Sequence, residues 1–153
     1  MSIHTFQPAS PLAADGAALA QALRRAMVGK DSLIRVTGPA ALTAVLWLAR
    51  SGYQRAVLTA GSTVRSGEPA DALLIPQPCS CEQLRAMLAH GDGLRAGGML
   101  IVQIAKAQAD GGPDDTAVAL PALGFDVCGK LAEKGRTVLI ARRAGSGGVE
   151  KAA

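Results

Sequence analysis

Residues 33–59 read LIRVTGPAALTAVLWLARSGYQRAVLT, and the order of patterns within them decides the fold. Leu33 to Thr37 (LIRVT) is a short run rich in β-branched side chains, which reads as a strand. Gly38-Pro39 punctuates it. From Ala40 to Gly52 the apolar residues keep helical spacing, and a glycine closes the segment as helix ends favour. Arg55 to Thr59 (RAVLT) is the next strand. Strand, tight turn, apolar helix and strand in so few residues make a βαβ unit. Such a unit forces parallel pairing and a right-handed crossover.

Upstream of this unit, Leu12 to Val28 carries Leu12, Leu19, Leu23, Met27 and several alanines at helical spacing. Gly29 ends that helix and Asp31-Ser32 turns the chain. Residues 1–11 hold two prolines and no periodicity, so they read as an irregular arm. Downstream, a Gly-, Ser- and Pro-rich loop leads to Ala72–Ile75 (ALLI), a third buried strand. Ser80 with Gln83 is a capping-box signature, opening a helix that runs to about His90. After the loop GDGLRAGG comes MLIVQIA (Met99–Ala105), the most apolar strand. A short helix ends at Gly124. FDVCGKL and RTVLIARR are then separated by too little chain for a crossover, so they pair as an antiparallel hairpin. The last ten residues, AGSGGVEKAA, read as a flexible tail. The expectation is one domain over residues 12–143, a doubly wound and mostly parallel α/β sheet with a C-terminal hairpin.

A chain of 153 residues has room for one such domain. Hydrophobic residues are 49% and charged residues 18% of it, which excludes an intrinsically disordered chain. The aromatic residues are Phe6, Trp47, Tyr53 and Phe125. Stacking platforms for single-stranded nucleic acid need several exposed rings, so that class is not expected. Lys and Arg outnumber Asp and Glu by 16 to 12, a net +4 spread along the chain apart from Arg24-Arg25 and Arg142-Arg143. A solvated surface accounts for this excess without a nucleic-acid stripe. Cys79, Cys81 and Cys128 are an odd number, and Met1–Gly16 lacks the pattern of a secretory signal. Free thiols in a reducing cytoplasm are the expectation. Ala40–Ala49, the most apolar run, is about half of the roughly 20 residues a membrane span requires.

The glycine-ended first strand, Leu94-Arg95-Ala96-Gly97-Gly98 before a strong strand, and Gly124-Phe125 before a terminal hairpin together resemble the class I S-adenosylmethionine-dependent methyltransferases. The resemblance covers roughly residues 33–143. It implies a methyltransferase-like sheet and a cofactor crevice at the turn after the first strand. Family members have one more helix and strand where this chain has only residues 60–70, so the sheet is expected to lack one edge strand–helix unit. The stretch from Val36 to Ser62 is also similar to the cofactor half of medium-chain dehydrogenases. It lacks their G-x-G-x-x-G fingerprint, and the terminal hairpin fits that family less well.

The resemblance implies cofactor contacts at Gly38, Ala40, Thr59 and Gly61. Three departures fall on the same crevice. Val36 stands where the family has an acid; Ala40 and Leu42 replace its second and third glycines; and no carboxylate follows RAVLT to meet the ribose hydroxyls. The bulk of Leu42 is expected to intrude on the crevice. Pro78-Cys79-Ser80 is similar to the Pro-Cys motif of the family's 5-methylcytosine branch, and a thiolate is favoured at a helix N-terminus. The accompanying Asp is missing, so Cys79 is the one candidate nucleophile and a small residue by a helix cap otherwise. Cys79 and Cys81 lack the further ligands a zinc site needs. Asp114 or Asp115 is read as a helix N-cap. The expected function is a methyltransferase-like binding or scaffolding unit without a cofactor, with an unidentified protein partner or a second copy as a homodimer. The alternative is a divergent methyltransferase that uses S-adenosylmethionine.

Overall fold

The computed structural model describes residues 11–38, 40–58, 69–76, 81–89, 93–105, 113–133 and 136–144. Residues 1–10, residues 145–153, Ser80 of the capping box and His90 fall outside these residues, whereas Pro11, read with the arm, opens the first helix. Along the chain the elements are α1 (Pro11–Arg25), β1 (Leu33–Val36), α2 (Ala41–Arg50), β2 (Arg55–Leu58), β3 (Ala70–Ile75), α3 (Cys81–Ala89), β4 (Leu94–Ala105), α4 (Pro113–Ala122), β5 (Phe125–Glu133) and β6 (Arg136–Arg143). Six strands form one sheet in the order β2-β1-β3-β4-β6-β5. The first four are parallel, β6 runs antiparallel to β4, and β5 pairs with β6 from the far side. The terminal hairpin is therefore present, with its second strand inserted next to β4. At the other end β2 is the edge strand among the described residues, consistent with a sheet one unit short.

Both faces of the sheet are covered, which explains why β3 and β4 read as unbroken apolar runs rather than alternating ones. On one face α1 and α2 bury Leu19, Leu23 and Leu48 against Ile34, Leu74 and Ile101. On the other, α3 and α4 bury Leu84 and Leu120 against Ile75, Leu100, Ile104 and Phe125. Burial of apolar surface, at about 25 cal/mol per Å², is the main driving term for these contacts.

Local readings change at three places: β4, α4 and the end of α1, which stops at Arg25 and not at Val28 before Gly29. LRAGG is not a loop before β4 but its first part: Ala70 pairs with Leu94, and Ala72 next pairs with Met99, so the strand bulges between them. Gly97 supplies the bulge with a φ of +80°. Gly98 is needed for space, since a Cβ there would lie 2.9 Å from the Arg95 carbonyl oxygen and 2.7 Å from Leu94 Cδ1. The second change is at α4. Pro113 opens the helix, so Asp114 and Asp115 stand in its first turn rather than capping it.

Helix α1 ends without the glycine that helix termini prefer. Met27 takes φ +61°, its N–H donates to the Arg24 carbonyl at 3.0 Å, and the Val28 N–H donates to that of Leu23 at 2.9 Å. This is a Schellman close, with Val28 and Leu23 both buried beneath it. The left-handed position is filled by a methionine whose side chain is 87% exposed.

Candidate functional site

In open α/β sheets ligands gather at the carboxyl ends of the strands. Here residues 59–68, 77–80 and 106–112, which leave the carboxyl ends of β2, β3 and β4, lie outside the described residues. Thr59, Gly61 and Cys79 are among them. Gly38 and Ala40 are described, and they share the turn between β1 and α2. Gly38 has φ +94° and Ala40 φ +67°. Both therefore hold a backbone shape that glycine adopts freely and that costs alanine energy. The Thr37 N–H donates to the Leu74 carbonyl at 3.1 Å, fixing the exit of β1 beside β3. The Ala41 N–H donates to the Gly38 carbonyl at 3.1 Å, and α2 begins with no side-chain cap. Among the described residues, the N–H groups of Gly38 and Ala40 have no backbone acceptor.

A Cβ on Gly38 would stand 3.5 Å from Met87 Cε and 3.7 Å from Ile75 Cγ2. Those are ordinary contact distances, so φ rather than crowding requires glycine here. They also place Met87 of α3 against this turn. Leu42, expected from the sequence to intrude on the crevice, stands in the first turn of α2, and the loops that would complete that crevice lie outside the described residues. It is 60% exposed, because its place on α2 turns it away from the face that carries Ala41, Ala44 and Leu48 into the core. Val36 is fully buried in the α1–α2 core, and β2 ends on Leu58 with no carboxylate at its last residue.

One polar group at this edge was overlooked in the sequence. Gln103 is buried, and its Nε2 donates to the Pro76 carbonyl at 2.6 Å, joining β4 to the end of β3. Its signal was available as the one polar side chain in MLIVQIA.

The charged groups that the structure does gather lie at the opposite, amino edge. Asp71 at the start of β3 accepts the Leu33 N–H at 2.8 Å and the Arg95 Nε at 2.7 Å. The Leu33 hydrogen bond, ahead of Arg95, holds the Asp71 carboxyl below the usual carboxylate range. Beside this pair is a cavity of about 810 Å³ between the end of α1 and the strands β4, β6 and β5. Arg25, Arg142 and the exposed free thiol of Cys128 line it. Sequence reading placed Arg25 and Arg142 in charge clusters but could not bring them together, since 116 positions of chain part them. No helix of the described residues is long and apolar enough to cross a membrane.

No protein-family profile and no curated protein sequence matches the chain. Solved structures do. The ribosomal protein L11 methylase of Lactobacillus delbrueckii subsp. bulgaricus superposes with a TM-score of 0.62 at 14% identity, over 82% of this chain and 76% of that one. The fibrillarin pre-rRNA processing protein of Methanococcus jannaschii gives 0.53 at 13% identity, over 76% and 68%. CalS10 of Micromonospora echinaspora, an amino pentose methyltransferase solved with S-adenosylmethionine bound, gives 0.51 at 14%, over 86% and 91%. At these identities the likeness is one of fold.

Proposed function

We propose, from a class I methyltransferase-like fold whose cofactor turn has lost its acid, that this chain is a binding or scaffolding unit and not a working methyltransferase. The observation that supports this most is Val36. The position two residues before Gly38, acidic in the family the chain resembles, is here 0% exposed and packed in the α1–α2 core. An apolar side chain held there cannot accept a hydrogen bond from a polar ligand. Leu58 at the end of β2 adds no carboxylate for a ribose.

A second copy of the chain is the proposed partner. Leu42 and Leu46 stand one turn apart on α2, 60% and 49% exposed, and Leu58 of the edge strand is half exposed on the same side of the sheet. Sedimentation equilibrium at micromolar protein tests this. A dimer weakened by Leu42→Glu with Leu46→Glu is expected, and a monomer at all concentrations overturns it.

A second reading rests on the turn itself. With both Gly38 and Ala40 at positive φ, the backbone keeps the shape that lets a main chain approach a ligand closely. A divergent methyltransferase would use that turn with S-adenosylmethionine. Isothermal titration with S-adenosylmethionine and S-adenosylhomocysteine separates the two. No heat up to millimolar ligand supports the binding unit, and micromolar affinity supports the enzyme.

A further inference from the structure

The geometry points to a second ligand site, at the amino edge of the sheet: a phosphorylated small molecule seated in the cavity beneath the end of α1, held by Arg25 and Arg142. This inference is independent of the reading of the carboxyl edge. The cavity, at about 810 Å³, falls in the range of roughly 300–1,000 Å³ that small-molecule sites occupy. Ala26, Val28, Met99 and Ile140 give it apolar wall, and Arg25 and Arg142 line it with them.

Charged side chains lining it are Arg25, Lys30, Asp31, Asp71, Arg95 and Arg142. Asp31 sets a carboxylate beside the cations, and the others divide into those already engaged and those left over. Arg95 is paired with Asp71 at 2.7 Å, and the second oxygen of Asp71 is taken by the Leu33 N–H. Lys30 Nζ donates to the Ser51 carbonyl at 2.7 Å and lies 4.6 Å from the centre of the Tyr53 ring. Arg25 and Arg142 meet no acceptor among the described residues. Each is a planar fork of donors that suits two phosphate oxygens at once. A helix C-terminus ordinarily repels an anion through its unpaired carbonyls. Here the carbonyls of Ala22, Leu23 and Arg24 are taken by the N–H groups of Ala26, Val28 and Met27, which removes much of that objection.

Arg25 lies beside β5 at Gly129, where an added Cβ would stand 3.8 Å from Arg25 Nη1, an ordinary contact distance. The register of β5 slips between Val127 and Gly129, the kind of bulge that re-aims a side chain, and Cys128 at the slip lines the cavity. Among the described residues no aromatic ring lines it. A concave site without stacking rings fits a small phosphate ester better than a run of nucleotides.

Pyrophosphate and ADP are the probes, titrated calorimetrically into the whole chain. Both are expected to bind with micromolar affinity. Arg25→Ala with Arg142→Ala is expected to weaken this by about tenfold or more, as loss of charge-assisted hydrogen bonds implies. Arg50→Ala, an exposed change at the end of α2, should leave it unaltered. Pyrophosphate should also slow alkylation of Cys128, read at that residue by mass spectrometry. Both Arg variants change exposed side chains, and circular dichroism checks their fold. Failure of either probe to bind at millimolar concentration overturns the site, as does equal binding by the double variant. Tighter binding of a single-stranded RNA than of ADP, lost in the same variant, overturns it in favour of a nucleic-acid surface.

Discussion

The Asp71 carboxylate accepts the Leu33 N–H at 2.8 Å and thereby ties the first residue of β1 to the start of β3. Its second oxygen holds Arg95 at the start of β4. One side chain thus joins the amino ends of three adjacent strands. Asp71→Ala leaves a partly buried N–H without its acceptor, which costs about 1–2 kcal/mol. For a chain of this size that is a Tm lowered by about 3–6 °C, measurable by thermal melting.

The same contact sets a pH dependence. The folded-state pKa of Asp71 is lowered, chiefly by the Leu33 hydrogen bond. Its contribution is therefore fully present above the ordinary aspartate value, about 3.9, and is lost as pH falls through the depressed folded value. Urea unfolding at pH 7 and at acid pH should show the gap between the native chain and Asp71→Ala narrowing in acid. A gap that stays constant contradicts this.

Gly98 and Gly97 should fail differently. Gly98→Ala drives a Cβ against backbone and Leu94 and is expected to cost about 2–3 kcal/mol, in the range of overpacked cores. At Gly97 an added Cβ meets Arg95 Nη1 at an ordinary 3.8 Å, so Gly97→Ala is opposed mainly by φ, at about 1–2 kcal/mol. Chemical denaturation of both variants checks the order.

Met27 and Ala40 hold left-handed conformations that their Cβ atoms oppose. Met27→Gly and Ala40→Gly each relieve that strain, less the extra freedom glycine has when unfolded. A net gain of about 0.5–1 kcal/mol is expected, read as a higher denaturation midpoint. At Met27 little burial is given up, because the side chain is already in solvent.

Restoring the family's acid should not restore a site. Val36→Asp places a carboxylate among Ile34, Ala44 and Leu74 in the core and should cost about 3–5 kcal/mol, as an unpaired buried charge does. A stable Val36→Asp variant that binds S-adenosylmethionine would contradict this.

How far the sequence reaches can be judged from particular residues. The βαβ unit was legible because β1, α2 and β2 are short, periodic and bounded by Gly38 and Gly52. The terminal hairpin was legible because so few residues part FDVCGKL from RTVLIARR. The bulge in β4 was not, since a loop and an irregular strand both call for Gly97-Gly98. The exposure of Leu42 was not legible for a related reason: its place in the motif gives no rotation about the helix axis, and the helix turns it off the buried face. The amino-edge cavity could not be foreseen, because Arg25 of α1 and Arg142 of β6 come to line one cavity only through the packing of α1 on the sheet.

The most direct test of the central claim is a residue-resolved one. In a ¹H–¹⁵N spectrum of the labelled protein titrated with S-adenosylhomocysteine, the amide signals of Gly38 and Ala40 report on the cofactor turn. The binding-unit reading predicts that both stay unmoved at millimolar ligand. Saturable shifts of both signals at micromolar ligand would contradict it and make the chain a cofactor-binding methyltransferase.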